Sequence, residues 1–156
     1  MGADGDRASG RFARGCRCFA VQREGEIVSF GWLSTGREWI GELGVWIAPA
    51  AGEGYVWNCF TLEPHRRRGY YRRLLEGFVR VPGLRRLWIG SIEVPAEKAD
   101  TDAGFVPVLQ FEVRRALGLR TLKVRSVAGA DPALVAAARK RISGGWRMAR
   151  RQSRVH

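Results

Sequence analysis

The sequence predicts a mixed α/β domain, and three observations carry that prediction. Tyr55 to Leu62 is almost wholly apolar or aromatic and reads as a buried strand. Within about 40 residues it is followed by an amphipathic helical stretch and a second apolar run, the strand–helix–strand order of a parallel βαβ unit. Ahead of it, two apolar runs flank a Gly-containing turn, which reads as a β-hairpin. With 156 residues, 46% of them apolar, the chain is long enough for one core and too apolar to be disordered throughout.

Taken in order, residues 1–15 are rich in Gly, Ala, Asp and Arg without periodicity and read as a flexible leader. Cys18-Phe19-Ala20-Val21 and Ile27 to Leu33 form the hairpin around Arg23-Glu24-Gly25-Glu26. Gly36 to Gly54 is a broken stretch with one short strand expected among Trp39 to Ile47. The Tyr55–Leu62 strand, expected to be buried on both faces, exits through Glu63-Pro64-His65. In the next segment Tyr71, Leu74, Leu75 and Phe78 repeat at helical spacing until Pro82-Gly83. Leu84 to Val94 reads as the second strand of the unit, and Ala96 to Ala103 as a short charged helix. Two further strands are expected at Val106 to Val113 and Leu119 to Val127. Asp131-Pro132 caps a helix of Ala133 to Ile142, with Asp at the N-cap and Pro at the first helical position. The expected organisation is a leader (1–15), one domain (16–128) and a C-terminal helix with a basic tail (129–156).

The net charge of +12 is concentrated at the C-terminus: Ala137 to His156 holds seven basic residues and no acid. Such a field favours anionic partners in general without choosing among nucleic acid, phosphates and nucleotide cofactors. Cys16, Cys18 and Cys59 are the only cysteines, His65 and His156 the only histidines, and no pairing of them closes a metal site, so no metal is expected. No apolar run approaches a membrane span and no signal peptide is legible, which leads to the expectation of a reduced, cytoplasmic protein.

The chemistry concentrates where the buried strand runs into Arg66-Arg67-Arg68-Gly69 at the start of a helix. The first amides of a helix have no intrahelical acceptor and lie at the positive end of its dipole. A glycine there lets the backbone approach a ligand, and arginines grip phosphate through two bonds. This arrangement predicts an anionic, diphosphate-bearing ligand.

The stretch His65-Arg66-Arg67-Arg68-Gly69-Tyr70-Tyr71-Arg72-Arg73-Leu74-Leu75 resembles the signature of the GNAT acetyltransferases, Arg/Gln-x-x-Gly-x-Gly/Ala leading into a helix. Upstream, Glu26-Ile27-Val28-Ser29-Phe30-Gly31 resembles the family's second and third strands, and downstream Ala103-Gly104-Phe105 resembles its Gly-Phe helix end. The resemblance spans roughly residues 17 to 127. It implies a central mixed, largely antiparallel sheet with a βαβ cofactor unit and flanking helices. The family's first strand and two helices are expected to be shortened, since about 15 residues precede the hairpin. The implied activity is N-acyl transfer from acetyl-CoA or another acyl-CoA to a primary amine on a small molecule or peptide. Main-chain groups of Cys59, Phe60 and Thr61 would hold the pantetheine arm, and the turn of Arg66, Arg67, Arg68, Gly69, Tyr70, Tyr71 and Arg72 the pyrophosphate.

The sequence departs from the family pattern at several positions. Tyr71 replaces the second small residue, where the backbone normally approaches the pyrophosphate; on the apolar face of the helix its ring reads as core rather than as a surface that stacks on the cofactor. Glu93 and Ala96 stand where the family commonly has Asn and Ser, and Ala99 to Asp102 contains none of the family's acid tyrosine. Glu42, Glu53, Glu63 and Glu93 are the acids expected near the cleft, with Glu53 and Glu93 the candidate bases. Cys59 reads as a small core residue rather than a nucleophile. Two rivals follow from these departures and from the charge: a catalytically inactive CoA- or partner-binding module of the same fold, and a basic nucleic-acid-binding protein. A homodimer is compatible with either.

Overall fold

Every regular element of the computed structural model lies within residues 3–91, 94–116 and 119–144, which are the residues it describes. They fall into two compact units, Met1–Glu38 with Ala48–Val106, and Trp39–Ile47 with Pro107–His156.

In the first unit, helix α1 (Ala3–Ala13) occupies the stretch expected to be a flexible leader. Its residues are sided at helical spacing although few are apolar, and its C-terminal end is held by contacts to the sheet. Phe12 rests on Trp32 with ring centroids 5.0 Å apart, and the Arg11 guanidinium lies 4.8 Å from the same ring. Gly15, at φ 79°, closes the helix in a Schellman turn, with Cys16 N bonded to Arg11 O and Gly15 N to Phe12 O.

Strands β1 (Arg17–Arg23) and β2 (Glu26–Ser34) form the expected antiparallel hairpin. Its two-residue turn has positive φ at both Glu24 and Gly25, the type I′ geometry that suits the strand twist. β2 pairs antiparallel with β5 (Glu53–Thr61), and β5 pairs parallel with β6 (Arg86–Ile89), so the sheet order is β1-β2-β5-β6. Helix α2 (Tyr70–Val79) crosses over between β5 and β6, as the βαβ reading requires. It lays Leu74, Leu75 and Phe78 on Leu33 and Val56, with Phe19, Leu84, Leu87 and Phe105 around them.

Helix α3 (Val94–Asp102) ends in a second Schellman turn at Gly104, φ 95°, with Phe105 N bonded to Asp100 O; this turn is the Gly-Phe pair read from the sequence. Two strand expectations change. β6 covers four residues where eleven were expected, because it is paired only as far as Ile89. β5 is buried over Glu53 to Val56 and then alternates, so Phe60 is 41% exposed rather than enclosed on both faces.

The broken stretch holds two short strands rather than one, β3 (Glu38–Ile40), which starts at the last residue of the first unit's opening segment, and β4 (Val45–Ile47) of the second unit. β4 gains a partner in β9 (Ile142–Ser143), pairing Ile47 with Ile142. β7 (Leu109–Ala116) and β8 (Leu119–Ser126) form a hairpin with Leu109, Phe111 and Val113 on one face and Gln110, Glu112 and Arg114 on the other. Helix α4 (Pro132–Arg141) is capped as expected, the Asp131 carboxylate accepting from Ala133 N at 2.7 Å. The basic tail beyond Gly144 lies outside the described residues.

Candidate functional site

The site begins with an irregularity in β5. Its parallel ladder with β6 runs from Glu53↔Arg86 to Val56↔Ile89 and stops there. On the other edge, Trp57 pairs with Trp32 and Phe60 with Phe30, so Asn58 and Cys59 together oppose the single residue Gly31. This is a β-bulge, with Asn58 at φ 47°. A bulge bends its strand and sharpens the local twist. β5 therefore turns away from β6 just past Val56, and Trp57 to Thr61 run on without β6 beside them.

Glycine is required opposite the bulge. A Cβ at Gly31 would lie 2.6 Å from Cys59 Sγ and 3.2 Å from side-chain atoms of Leu74 and Phe78. On the outer side, the Asn58 amide oxygen, turned toward Arg11, sits 2.8 and 3.2 Å from the two terminal guanidinium nitrogens.

Beyond the bulge, β5 leads through a single 3-10 turn, Glu63–His65, into the arginine-rich loop. Arg66 folds back, its Nε–H donating to Thr61 O at 3.2 Å and its guanidinium 5.7 Å from the Phe60 ring. Arg67 (φ 59°) and Gly69 (φ 78°) both take left-handed backbone, which reverses the chain into α2. Gly69 is the N-cap and no side chain caps the helix. The first helical bond is Arg73 N to Gly69 O, so the amides of the preceding turn are left for another acceptor. Apart from its chain neighbours, a Cβ at Gly69 would meet nothing within 4 Å, and no acidic residue occupies the first turn.

Arg67 and Arg68 are exposed and form no ion pair among the described residues, whereas Arg72 is bound to Glu76 at 3.2 Å. An open hollow of about 360 Å³ adjoins the loop, lined by Arg23, Glu24, Glu26, His65 and Arg68. His65 Nδ1 is buried without a hydrogen-bond partner.

Close to Cys59 of the bulge, a polar cluster gathers around the buried Asp100 carboxylate. The Tyr71 hydroxyl donates to Asp100 Oδ1 at 2.7 Å, and Ser91 Oγ donates to Asp100 Oδ2. Burial raises the Asp100 carboxyl above its ordinary value, against the two hydrogen bonds that lower it. Cys59, half-buried at the bulge, has its thiol pushed up to about 12 by burial and by the Asp100 charge. It is thus a protonated packing residue at neutral pH.

The expected cofactor residues come together. Cys59, Phe60 and Thr61 form the end of β5, and Arg66 to Arg72 form the turn that follows it. The Tyr71 ring lies on the core side of α2, as its place in the apolar period with Leu74, Leu75 and Phe78 predicts. There its hydroxyl finds Asp100.

Glu53 is elsewhere. It sits at the start of β5, four residues and about 13 Å from Trp57 along the strand. Only 6% exposed, its carboxylate accepts from Trp88 Nε1 at 2.9 Å, Arg86 Nη1 at 3.2 Å and Ala50 N at 3.1 Å. Glu93 lies outside the described residues. Glu63 is exposed in the 3-10 turn, and Glu42 belongs to the second unit.

Sequence reasoning missed Ser91, Asp100 and the requirement at Gly31. One signal was available for Asp100: with Ala96 and Ala103 it falls at helical spacing on one face, a lone acid on an otherwise small apolar stripe. Among the described residues no group of three His, Cys, Asp or Glu is placed to hold a metal ion, and no helix is long and apolar enough to cross a membrane.

Solved structures share the fold. A protein of Agrobacterium tumefaciens assigned as an acetyltransferase superposes with a TM-score of 0.53 at 19% identity, covering 68% of this chain and 73% of its own. AAC(6')-Iy, in complex with the bisubstrate analogue CoA-S-monomethyl-acetylneamine, gives 0.52 at 18% identity over 74% and 77%. Glucosamine-6-phosphate N-acetyltransferase of Arabidopsis thaliana gives 0.51 at 11% identity over 72% and 76%. At these identities the likeness is one of fold. No curated protein sequence matches the chain. The profile of the acetyltransferase (GNAT) family, however, matches residues 4–98, from α1 through the bulged strand and the arginine turn into α3. The chain belongs to the GNAT acetyltransferase family.

Proposed function

We propose that the protein is an N-acyltransferase that moves an acetyl or other acyl group from acyl-CoA to a primary amine. One observation carries the reading: β5 and β6 part at a bulge, and β5 leads directly into a helix whose uncapped first turn is flanked by exposed arginines. A gap between strands suits an extended acyl-carrying arm, and the amides of Gly69 to Arg72 with Arg67 and Arg68 suit a pyrophosphate. The residues fit the donor: main-chain groups of Cys59 to Thr61 would hold the arm. The donor supplies an acyl carbon already activated as a thioester. The protein's part is to hold that carbon in the gap and to admit the amine. The neighbour solved with a CoA-containing bisubstrate analogue supports the choice of donor. We further propose a cytoplasmic location, where acyl-CoA is available.

The second reading, a CoA-binding module without turnover, draws on one feature: the Glu53 carboxylate and Tyr71 hydroxyl, a carboxylate and a phenol suited to proton transfer, are both committed to buried hydrogen bonds. A base is therefore not assigned to Glu53, and Glu93 stands as the other proposed carboxylate.

Titration calorimetry with acetyl-CoA at two salt concentrations tests the reading. The expected result is saturable one-to-one binding in the micromolar range, about 8 kcal/mol, lost in Arg68→Glu. Absence of binding in the parent, or unchanged binding in Arg68→Glu combined with Arg67→Glu, refutes the site. Acetyl transfer to members of an amine panel excludes the module without turnover.

A further inference from the structure

The side chains of the polar cluster around Asp100 have no contact role in the donor site as described, yet they join the three elements that shape that site. Tyr71 stands in the first turn of α2, two residues after Gly69. Ser91 stands two residues past the last paired residue of β6, and Asp100 in the last turn of α3. Asp100 is 4% exposed, and its two carboxylate oxygens are divided between the other two residues. Cys59, at the bulge on the facing strand, feels the same charge.

A buried carboxylate is a costly way to fasten three elements, because it must be stripped of water before its hydrogen bonds form. Apolar packing would hold α2 on the sheet without it, as Leu74, Leu75 and Phe78 already do. Hydrogen bonds to a carboxylate add direction and a defined distance, which apolar contacts lack.

We propose that Asp100, with Tyr71 and Ser91, is a positioning residue for the acyl-carrying arm of the donor. It draws the chain beyond Ile89 toward α2 and away from β5, so that the gap between the strands keeps a set width and a set distance from the amide turn. The nucleotide end of the donor is held by the turn itself and does not depend on this strut. The inference rests on the reading of the site as a CoA site and names the part of the ligand each element serves.

The test compares two ligands on the full chain by calorimetry: CoA, and its phosphorylated ADP fragment, which lacks the pantetheine arm. Tyr71→Phe keeps the ring and removes the hydroxyl, and Asp100→Asn keeps the shape and removes the charge. In both, CoA is expected to bind about tenfold more weakly, the size of one charge-assisted hydrogen bond, while the fragment binds as in the parent. Ser91→Ala, at an exposed position, keeps the test open should the other two fail to fold. Equal weakening of CoA and fragment, or no weakening of either, overturns the strut while leaving the donor site standing. A parent that binds neither ligand overturns both.

Discussion

Gly31 is the position at which the geometry of the site can be tested most directly, through Gly31→Ala. The added methyl would sit 2.6 Å from Cys59 Sγ, well inside contact distance, and 3.2 Å from Leu74 Cδ2 and Phe78 Cζ. The leucine and phenylalanine tips can yield a few tenths of an ångström, but Cys59 Sγ, packed against the core, can leave only by turning to another χ1 rotamer within that packing or by shifting the β5 backbone. Overpacking of a well-filled core costs about 1–3 kcal/mol, and we expect about 2 here. For a chain of this length that lowers Tm by about 4–8 °C.

The diagnostic is the double variant. Cys59→Ala removes the sulfur, the only atom closer than 3 Å, so Gly31→Ala should cost at least about 1 kcal/mol less in that background. Urea unfolding followed by tryptophan fluorescence measures all four corners of the cycle. Additive losses, or a Gly31→Ala variant as stable as the parent, would refute the claim that Gly31 is the seat of the bulge. Since the bulge parts β5 from β6, the single variant should also bind acetyl-CoA more weakly than its stability loss alone explains.

Two other outcomes follow from buried carboxylates. Asp100 has a raised value in the folded chain, so the folded state holds its proton more tightly than the unfolded state, where the ordinary value of 3.8 applies. The stability of the parent relative to Asp100→Asn is therefore fully present below that value and is lost as pH rises through the folded-state value, which paired urea titrations from acid to neutral pH would show; an advantage that grows with pH would reverse the assignment. Glu53→Leu leaves the Trp88 indole N–H and the Ala50 amide without their acceptor and should cost about 3 kcal/mol, while Glu53→Gln keeps an acceptor and should cost about 1. Transfer activity that disappears in Glu53→Gln with its stability intact would make Glu53 the base instead of a buttress of the β5–β6 ladder.

Local chemistry was legible without the fold. The type I′ turn at Glu24-Gly25, the amphipathic period of α2, the Asp131-Pro132 cap and the Gly104-Phe105 helix end are each written in a few adjacent residues, because dihedral preference and capping act over one turn of chain. The arginine turn belongs with them: Gly69 and its neighbours lie between a strand and a helix that the sequence itself announces, which also made the family resemblance visible.

What required the tertiary structure was every feature whose partner is distant in sequence. The contacts of Phe12 and Arg11 on Trp32, which seat α1 on the sheet, join residues about 20 positions apart. The bulge at Asn58-Cys59 is defined only against Gly31 on the neighbouring strand. Glu53 looked like a base beside a cleft until its three donors, Ala50, Arg86 and Trp88, were placed around it. Tyr71 reads as core from its helical spacing, but the acceptor of its hydroxyl, Asp100, lies 29 positions on and is visible only in the fold. Hydrogen bonds and close packing act over a few ångströms of space, whereas the sequence orders residues along the chain; only folding brings the two into register.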